Sequence, residues 1–483
     1  MILPHVSLAG WWAGVGERVE ISLIWYFFLL NGIYVVLSLI AFRDVYSHLL
    51  RSIYGGYEQI ARSPLTPAIS VLVPAYNEEV GIALTVTNLL HLDYMRYEVI
   101  VVDDGSTDRT LDELKKAFQL EPDDDRAGEE SLRHAPLRGV YRSRRHHNLL
   151  VLAKENGGKA DALNAALDYA QYPYFSTIDA DVVLEPDALQ RVIQPIVESD
   201  RRVVAVGGII RVANGCRVEH GRVVDIEMPR RTLVLLQIVE YFRAFLCGRT
   251  GFSRLNCLMI ISGAFGVFDR DLAIEAGGYS VDTVGEDMDL VTRLHALMRE
   301  RGERDYAVRF VPDPVCWTEV PSNLRVLARQ RRRWQRGLLE VLSARSEMLF
   351  NPRYGALGLF AYPFFWLFEG WGVVLELLGY AVFAALWMRG AVQSDYVIAF
   401  LFVAFLCGTT LSLCGILLGE MTPRSYPKMR HWLTMMFFAV VENFGYRQLT
   451  SLLRLLGIFD FLRGRRGWGR MERQGLHHRE AAA

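Results

Sequence analysis

The sequence predicts an α/β protein, a doubly wound, mostly parallel sheet in a soluble domain flanked by helical segments suited to a membrane. Three observations carry this reading. From residue 68 to about 181, short apolar runs alternate with helix-like stretches, the pattern of strands joined by crossover helices. Most of these runs end in carboxylates or lead into glycine-containing loops, at the strand ends where such sheets bind ligands. The apolar excess of a chain that is 51% hydrophobic over 483 residues lies at its two ends, as expected when those ends face lipid.

Residues 1–20 carry Glu17, Arg18 and Glu20 in place of the basic start of a cleaved signal peptide. Residues 21–42 are almost uninterruptedly apolar and span about 33 Å as a helix, against a hydrocarbon core of about 30 Å. Arg43, Arg51 and Arg62 follow this run and only Arg18 precedes it, so the positive-inside rule puts the N-terminus outside and the next domain in the cytosol. Residues 43–67 mix apolar and charged side chains at helical spacing, which suits either a membrane-surface segment or a solvent-facing helix.

The cytosolic domain is expected over 68–320, with strands at Ile69–Val73, Tyr97–Val102, Asn148–Ala153 and Phe175–Asp181. Within it, residues 121–147 hold an acidic run (Asp123 to Asp125, Glu129, Glu130) and a basic one (Arg142, Arg144, Arg145, His146, His147). We read them as a mobile charged surface insertion whose basic half suits anionic lipid. Residues 321–354 form an amphipathic interfacial stretch, and 355–462 a membrane region of three apolar blocks, 357–388, 396–419 and 431–462. The basic tail 463–483 should stay cytosolic, which requires an even number of crossings. Either the long first block is two passes or the last block, broken by Glu442, Asn443 and Arg447, is re-entrant or interfacial, and we favour the second. Six cysteines without metal-ligand spacing read as reduced thiols. A net charge of −1 with only local basic clusters gives no reason to expect nucleic acid.

Chemistry is concentrated in a few residues. Asp179 and Asp181, one residue apart at the end of an expected strand, point the same way. Two carboxylates about 4 Å apart repel by about 4 kcal/mol at an effective dielectric near 20, and Mg²⁺ or Mn²⁺ would relieve this with hard oxygen ligands and substrate phosphates. Asp103-Asp104-Gly105 suits a site that accepts from a base or a sugar hydroxyl, and Lys159 follows two glycines at a helix start, where phosphate binds. Glu286 and Asp287 open another helix and offer a general base. Gln330, Arg333 and Trp334 fall on one face of an amphipathic helix, as a diphosphate clamp beside an aromatic platform.

In this order, Asp-Asp-Gly, Asp-x-Asp, Glu-Asp and Gln-x-x-Arg-Trp resemble the processive, inverting family 2 glycosyltransferases, the group of poly-N-acetylglucosamine, cellulose, chitin and hyaluronan synthases. The resemblance covers about Ile69 to Gly337 and implies a GT-A-like fold in a multi-pass protein of a bacterial inner membrane. It implies a UDP-sugar bound by Pro74, Tyr76, Glu78, Asp104 and Lys159, and a metal on Asp179 and Asp181. It implies Asp287 as base with Glu286 beside it, Arg333 on the leaving diphosphate, and Trp334, Gln330, Ser262 and Gly263 at the acceptor. The family's Thr-Glu-Asp reads Gly285-Glu286-Asp287 here. The expected product is a β-linked polysaccharide, exported with accessory envelope proteins past membrane lipids. Two other readings share these residues: transfer of one sugar to a glycolipid acceptor, and a nucleotide-sugar sensor, which would have no use for a base. Glu369, Glu376, Trp366 and Trp371 are expected either to line an export channel or, for the charged groups, to pair structurally.

Overall fold

The computed structural model describes residues 8–54, 63, 65–219, 222–388, 390, 395, 397–398, 402–422 and 426–465. The first seven residues, Arg62 and the tail from Arg466 lie outside these.

Four apolar strands, β1 (Ile69–Ala75), β2 (Tyr97–Asp103), β5 (Leu149–Lys154) and β6 (Tyr174–Ile178), form a parallel core in the order β5-β2-β1-β6. They are almost wholly buried, which explains their continuous rather than alternating apolar character. Antiparallel strands β3 (Leu120–Pro122) and β4 (Leu137–Ser143) extend one edge. On the other side lie β11 (Phe265–Asp269), β8 (Arg202–Val212), β12 (Tyr306–Thr318) and β7 (Val183–Leu184), completing a ten-stranded mixed sheet. A separate hairpin joins β9 (Arg217–Glu219) to β10 (Arg222–Asp225). This is the expected α/β class.

Two local expectations need correction. Residues 121–147 are not an insertion outside the sheet, because β4 pairs with β5 and β3 with β4. The charges hid an apolar set, Leu137, Val140 and Tyr141, which packs on the core beside exposed Arg138 and Arg142. The acidic half is also tied down, Asp123 N donating to Val140 O and Glu129 N to Asp168 O, both at 2.9 Å, and the stretch after it is held by Ser131 N and Leu132 N donating to Asp168 and Ala135 N to Asp161. The second correction is that β6 stops at Ile178, so Asp179 and Asp181 sit in the following turn. Strand alternation therefore does not set their directions.

The N-terminal helix is continuous from Leu8 to Tyr54, so at least the first part of 43–67 prolongs it rather than forming a separate surface segment. Its stretch Ile21–Arg51 is long and apolar enough to cross a membrane. It exposes Trp25, Phe28, Leu29 and Leu39 while burying Leu37, Ala41 and Val45 in the main core. Leu357–Gly370 and Gly372–Ala385 meet at a 41° bend and give a second candidate span only if counted together. The apolar helices Phe405–Glu420 and Met429–Val441 are shorter. Among the described residues the expected multi-pass chain thus reduces to one candidate span, the N-terminal helix, or two with the bent pair. The break at Glu442 to Gly445 is present, with Gly445 at φ +96°, a backbone that favours glycine. Glu442 is buried and paired with Arg243 at 2.5 Å and Arg447 at 2.6 Å.

Candidate active site

A cavity of about 550 Å³ opens beyond the C-terminal end of β6 and runs toward the C-terminal helices. Asp179, Asp181 and Lys159 line one part of it; Ser262, Gly263, Glu286 and Asp287 lie beside them, and Gln330, Arg333 and Trp334 complete the set. The structure therefore brings together residues that the sequence spreads over some 175 positions.

Lys159 opens the helix Lys159–Tyr169. Its ammonium lies 2.6 Å from Asp179 Oδ1, 3.7 Å from Glu286 Oε1, and donates to Gly263 O at 3.1 Å. Burial pulls its pKa down, but Asp179, Glu286 and Asp287 outweigh this and hold it above the usual lysine value. It supplies positive charge beside Asp179 and Glu286. Asp287 is fixed by two backbone donors, Gly263 N to Oδ2 at 2.9 Å and Met288 N to Oδ1 at 2.8 Å. A Cβ on Gly263 would lie 3.2 Å from Lys159 Nζ and 3.4 Å from Asp287 Oδ2, so the loop threads between cation and carboxylate because it has no side chain.

Glu286 is 4% exposed, and burial pushes its carboxyl up to about 7, with Lys159 opposing and Asp287 adding to the rise. The folded protein therefore binds this proton more tightly than the unfolded chain does. That stability is full below the unfolded value near 4.5 and is lost as pH rises through the folded one. In thermal melts from pH 4.5 to 8, Glu286→Gln is expected to gain stability over the parent as pH rises. A pH-independent difference would contradict the assignment.

The helix Leu324–Ala344 carries the arginine run, and each successive residue turns by about 100°. Arg331 forms a two-point pair with Glu240, at 2.7 and 2.8 Å, and its guanidinium lies 4.6 Å from the centre of the Trp334 ring. Arg332 reaches out to Asp460 at 2.7 Å, and Arg333 lines the cavity. Trp334, 43% exposed, is thus backed by a cation on one side and open on another.

Four expected nucleotide residues do not line this cavity. Pro74, Tyr76 and Glu78 lie at the end of β1, where Tyr76 is half exposed and Glu78 N donates to Thr110 Oγ1 at 2.8 Å. Asp104 is 3% exposed and turned inward. Its Oδ1 accepts from Lys154 Nζ at 2.6 Å and Gly157 N at 3.0 Å, its Oδ2 from Gly158 N at 2.8 Å and Asn156 Nδ2 at 3.2 Å. Four donors fill the carboxylate's lone-pair sites, so Asp104 shapes the loop that presents Lys159. Asp104→Ala should cost about 3 kcal/mol, because buried Lys154 loses a partner and keeps Asp161. A denaturation midpoint matching the parent's would refute this.

Trp366 and Trp371, expected along a channel, pack into apolar clusters instead, and Glu376 bonds Tyr380 and Ser451. Glu369 does line the cavity, held by Tyr34 at 2.6 Å and Arg454 at 3.0 Å. Sequence reasoning missed Glu240, Glu340 and Gly337. The available signal was Gly337 itself, since a glycine inside a helix costs about 1 kcal/mol and asks for a reason.

The fold is that of a GT-A-like glycosyltransferase. The family model for glycosyl transferase family 2 matches residues 70–254 and that for glycosyl transferase family group 2 matches 174–441; the chain belongs to the family 2 glycosyltransferases. Among curated relatives it is similar to the poly-β-1,6-N-acetyl-D-glucosamine synthases of Staphylococcus aureus strain COL, at 28% identity, and Staphylococcus epidermidis, at 27%. Each match covers 275 residues, 57% of this chain and 55% of the relative, so the chain spans about half the length of the relatives it matches. Among solved structures it is similar in fold to the mannosyltransferase PcManGT of Pyrobaculum calidifontis, with TM-score 0.50 and 19% identity over 90% of this chain and 99% of that one.

Proposed function

We propose that this family 2 glycosyltransferase moves a sugar from a UDP-sugar, with inversion, onto a growing β-linked polysaccharide of the poly-N-acetylglucosamine type, and exports the product. The observation that carries the reading is that one cavity contains the carboxylate pair Asp179 and Asp181, the backbone-pinned Asp287, and Arg333 with Trp334. The similarity to the staphylococcal synthases supports the choice of sugar.

Asp287 takes the proton of the acceptor hydroxyl as that oxygen forms its bond to the anomeric carbon. The bond from that carbon to the diphosphate breaks on the opposite face, and its electrons leave with the diphosphate. A single displacement inverts the centre, so one base suffices. Arg333 and Lys159 balance the charge left on the diphosphate, and Trp334 offers a ring face to the acceptor sugar.

Asp179 and Asp181 fit a divalent cation by the chemistry of their oxygens. The described residues contain no group of three or more His, Cys, Asp or Glu able to hold a metal, so the remaining ligands would be the nucleotide's phosphates, as is typical of Mg²⁺. When bound, Mg²⁺ or Mn²⁺ supplies positive charge to the diphosphate.

Processivity and export draw support from the cavity's continuation to Tyr34, Glu369 and Arg454 in the helices of the membrane region. The test is to incubate the purified protein with radiolabelled UDP-sugars and size the product. Long polymer from UDP-N-acetylglucosamine is expected; a discrete glycolipid would exclude polymerisation. In sealed vesicles, polymer found only on the UDP-sugar side would defeat export.

A further inference from the structure

The helix that carries Arg333 and Trp334 is joined to the loop before Asp287 by contacts in which no cavity-lining side chain takes part. Glu340 Oε2 accepts from Thr283 Oγ1 at 2.9 Å and from Val284 N at 3.0 Å. Thr283 Oγ1 in turn accepts from Gly285 N at 3.1 Å, two residues before Asp287. The other Glu340 oxygen lies 3.3 Å from Arg336 Nε, one turn back on the same helix. Beneath this, the two backbones touch: a Cβ on Gly337 would sit 3.0 Å from Gly285 N and 3.1 Å from its Cα. Arg333, Gly337 and Glu340 fall at i, i+4 and i+7, on one face of the helix.

We propose that Glu340 is a positioning residue for the transfer step: with the Gly337 and Gly285 contact it makes the diphosphate clamp and the base one body. This rests on the assignment of Asp287 as base. Glu340 does not line the cavity, so any effect it has on the reaction passes through the loop. Misplacing a reacting group by about 1 Å can cost about a hundredfold in rate, and the loop from Thr283 to Gly285 is what sets Asp287 against Arg333 and Trp334.

The test uses the full chain, with UDP-N-acetylglucosamine as donor and UDP as the binding probe. Glu340→Ala is expected to lower kcat about ten- to a hundredfold while the donor KM and the UDP affinity stay within about twofold. Glu340→Gln keeps an oxygen to accept from Thr283 and Val284 and should recover most of the rate. Gly337→Ala, which drives a Cβ into the Gly285 backbone, should slow transfer in the same way, and the double variant Gly337→Ala with Glu340→Ala should be no slower than the slower single one. Should Glu340→Ala fail to fold, Glu340→Gln and Gly337→Ala still decide the matter. The proposal is overturned if Glu340→Ala turns over at the parent rate, if UDP affinity falls with kcat, if Gly337→Ala leaves kcat unchanged, or if Glu340→Gln is as slow as Glu340→Ala. Asp287→Asn run alongside separates the two readings: full rate there overturns the base assignment and this proposal with it, whereas a slow Asp287→Asn beside a fast Glu340→Ala overturns only the present one.

Discussion

Asp287→Asn is expected to slow sugar transfer by about two to four orders of magnitude and to leave UDP-sugar binding nearly intact. The oxygens of Asp287 already accept from Gly263 N and Met288 N, so asparagine can keep one of these bonds and the local backbone should hold. What it cannot do is take a proton. Measured as kcat and as UDP affinity, the two quantities should separate. A parallel collapse of both would make Asp287 a structural or nucleotide-binding residue and would remove the base from the scheme.

The second large effect concerns the carboxylate pair. Asp179→Asn or Asp181→Asn should abolish turnover and weaken UDP binding in a manner that depends on added Mg²⁺ or Mn²⁺. The parent should likewise lose activity in excess chelator; full activity there would sink the metal assignment. Asp179→Asn carries a further expectation, because Lys159 loses its 2.6 Å partner and keeps Glu286 at 3.7 Å. The residual binding of UDP without metal should therefore be stronger in Asp179→Asn than in Asp181→Asn. Calorimetric titration in chelator reads this directly, and the reverse order would refute it.

The parallel core was legible because its strands are fully buried and written as plain apolar runs between turn residues; β1, β2, β5 and β6 needed no tertiary information. β4 was not, since a strand next to the sheet edge with arginines on its exposed positions looks like a charged loop until its apolar positions are seen to face the core. At the site, Asp179, Asp181, Lys159, Asp287, Arg333 and Trp334 were readable as motifs, and they meet in one cavity. Asp104 belongs to a motif just as visible, but its orientation depends on Lys154, a lysine with no exposed side chain. No local pattern announces that Asp103 and Asp104 are both buried. Glu340 and Gly337 were hidden for the same reason: their partners lie more than fifty residues away.

The long N-terminal helix, long and apolar enough over Ile21–Arg51 to cross a membrane, also packs into the interior of the sheet domain. Leu37, Ala41 and Val45 belong to the same core as the sheet, the Leu37 backbone and side chain lie within about 3 Å of where a Cβ on Gly251 would sit, and His48 bonds Asp313 at 2.8 Å. Excising the catalytic portion at residue 68 would strip these side chains from the interior and leave Asp313, 2% exposed in the whole chain, facing an open wound. The N-terminal helix and the sheet are one folding unit, so a fragment of this protein that lacks the helix should aggregate rather than work.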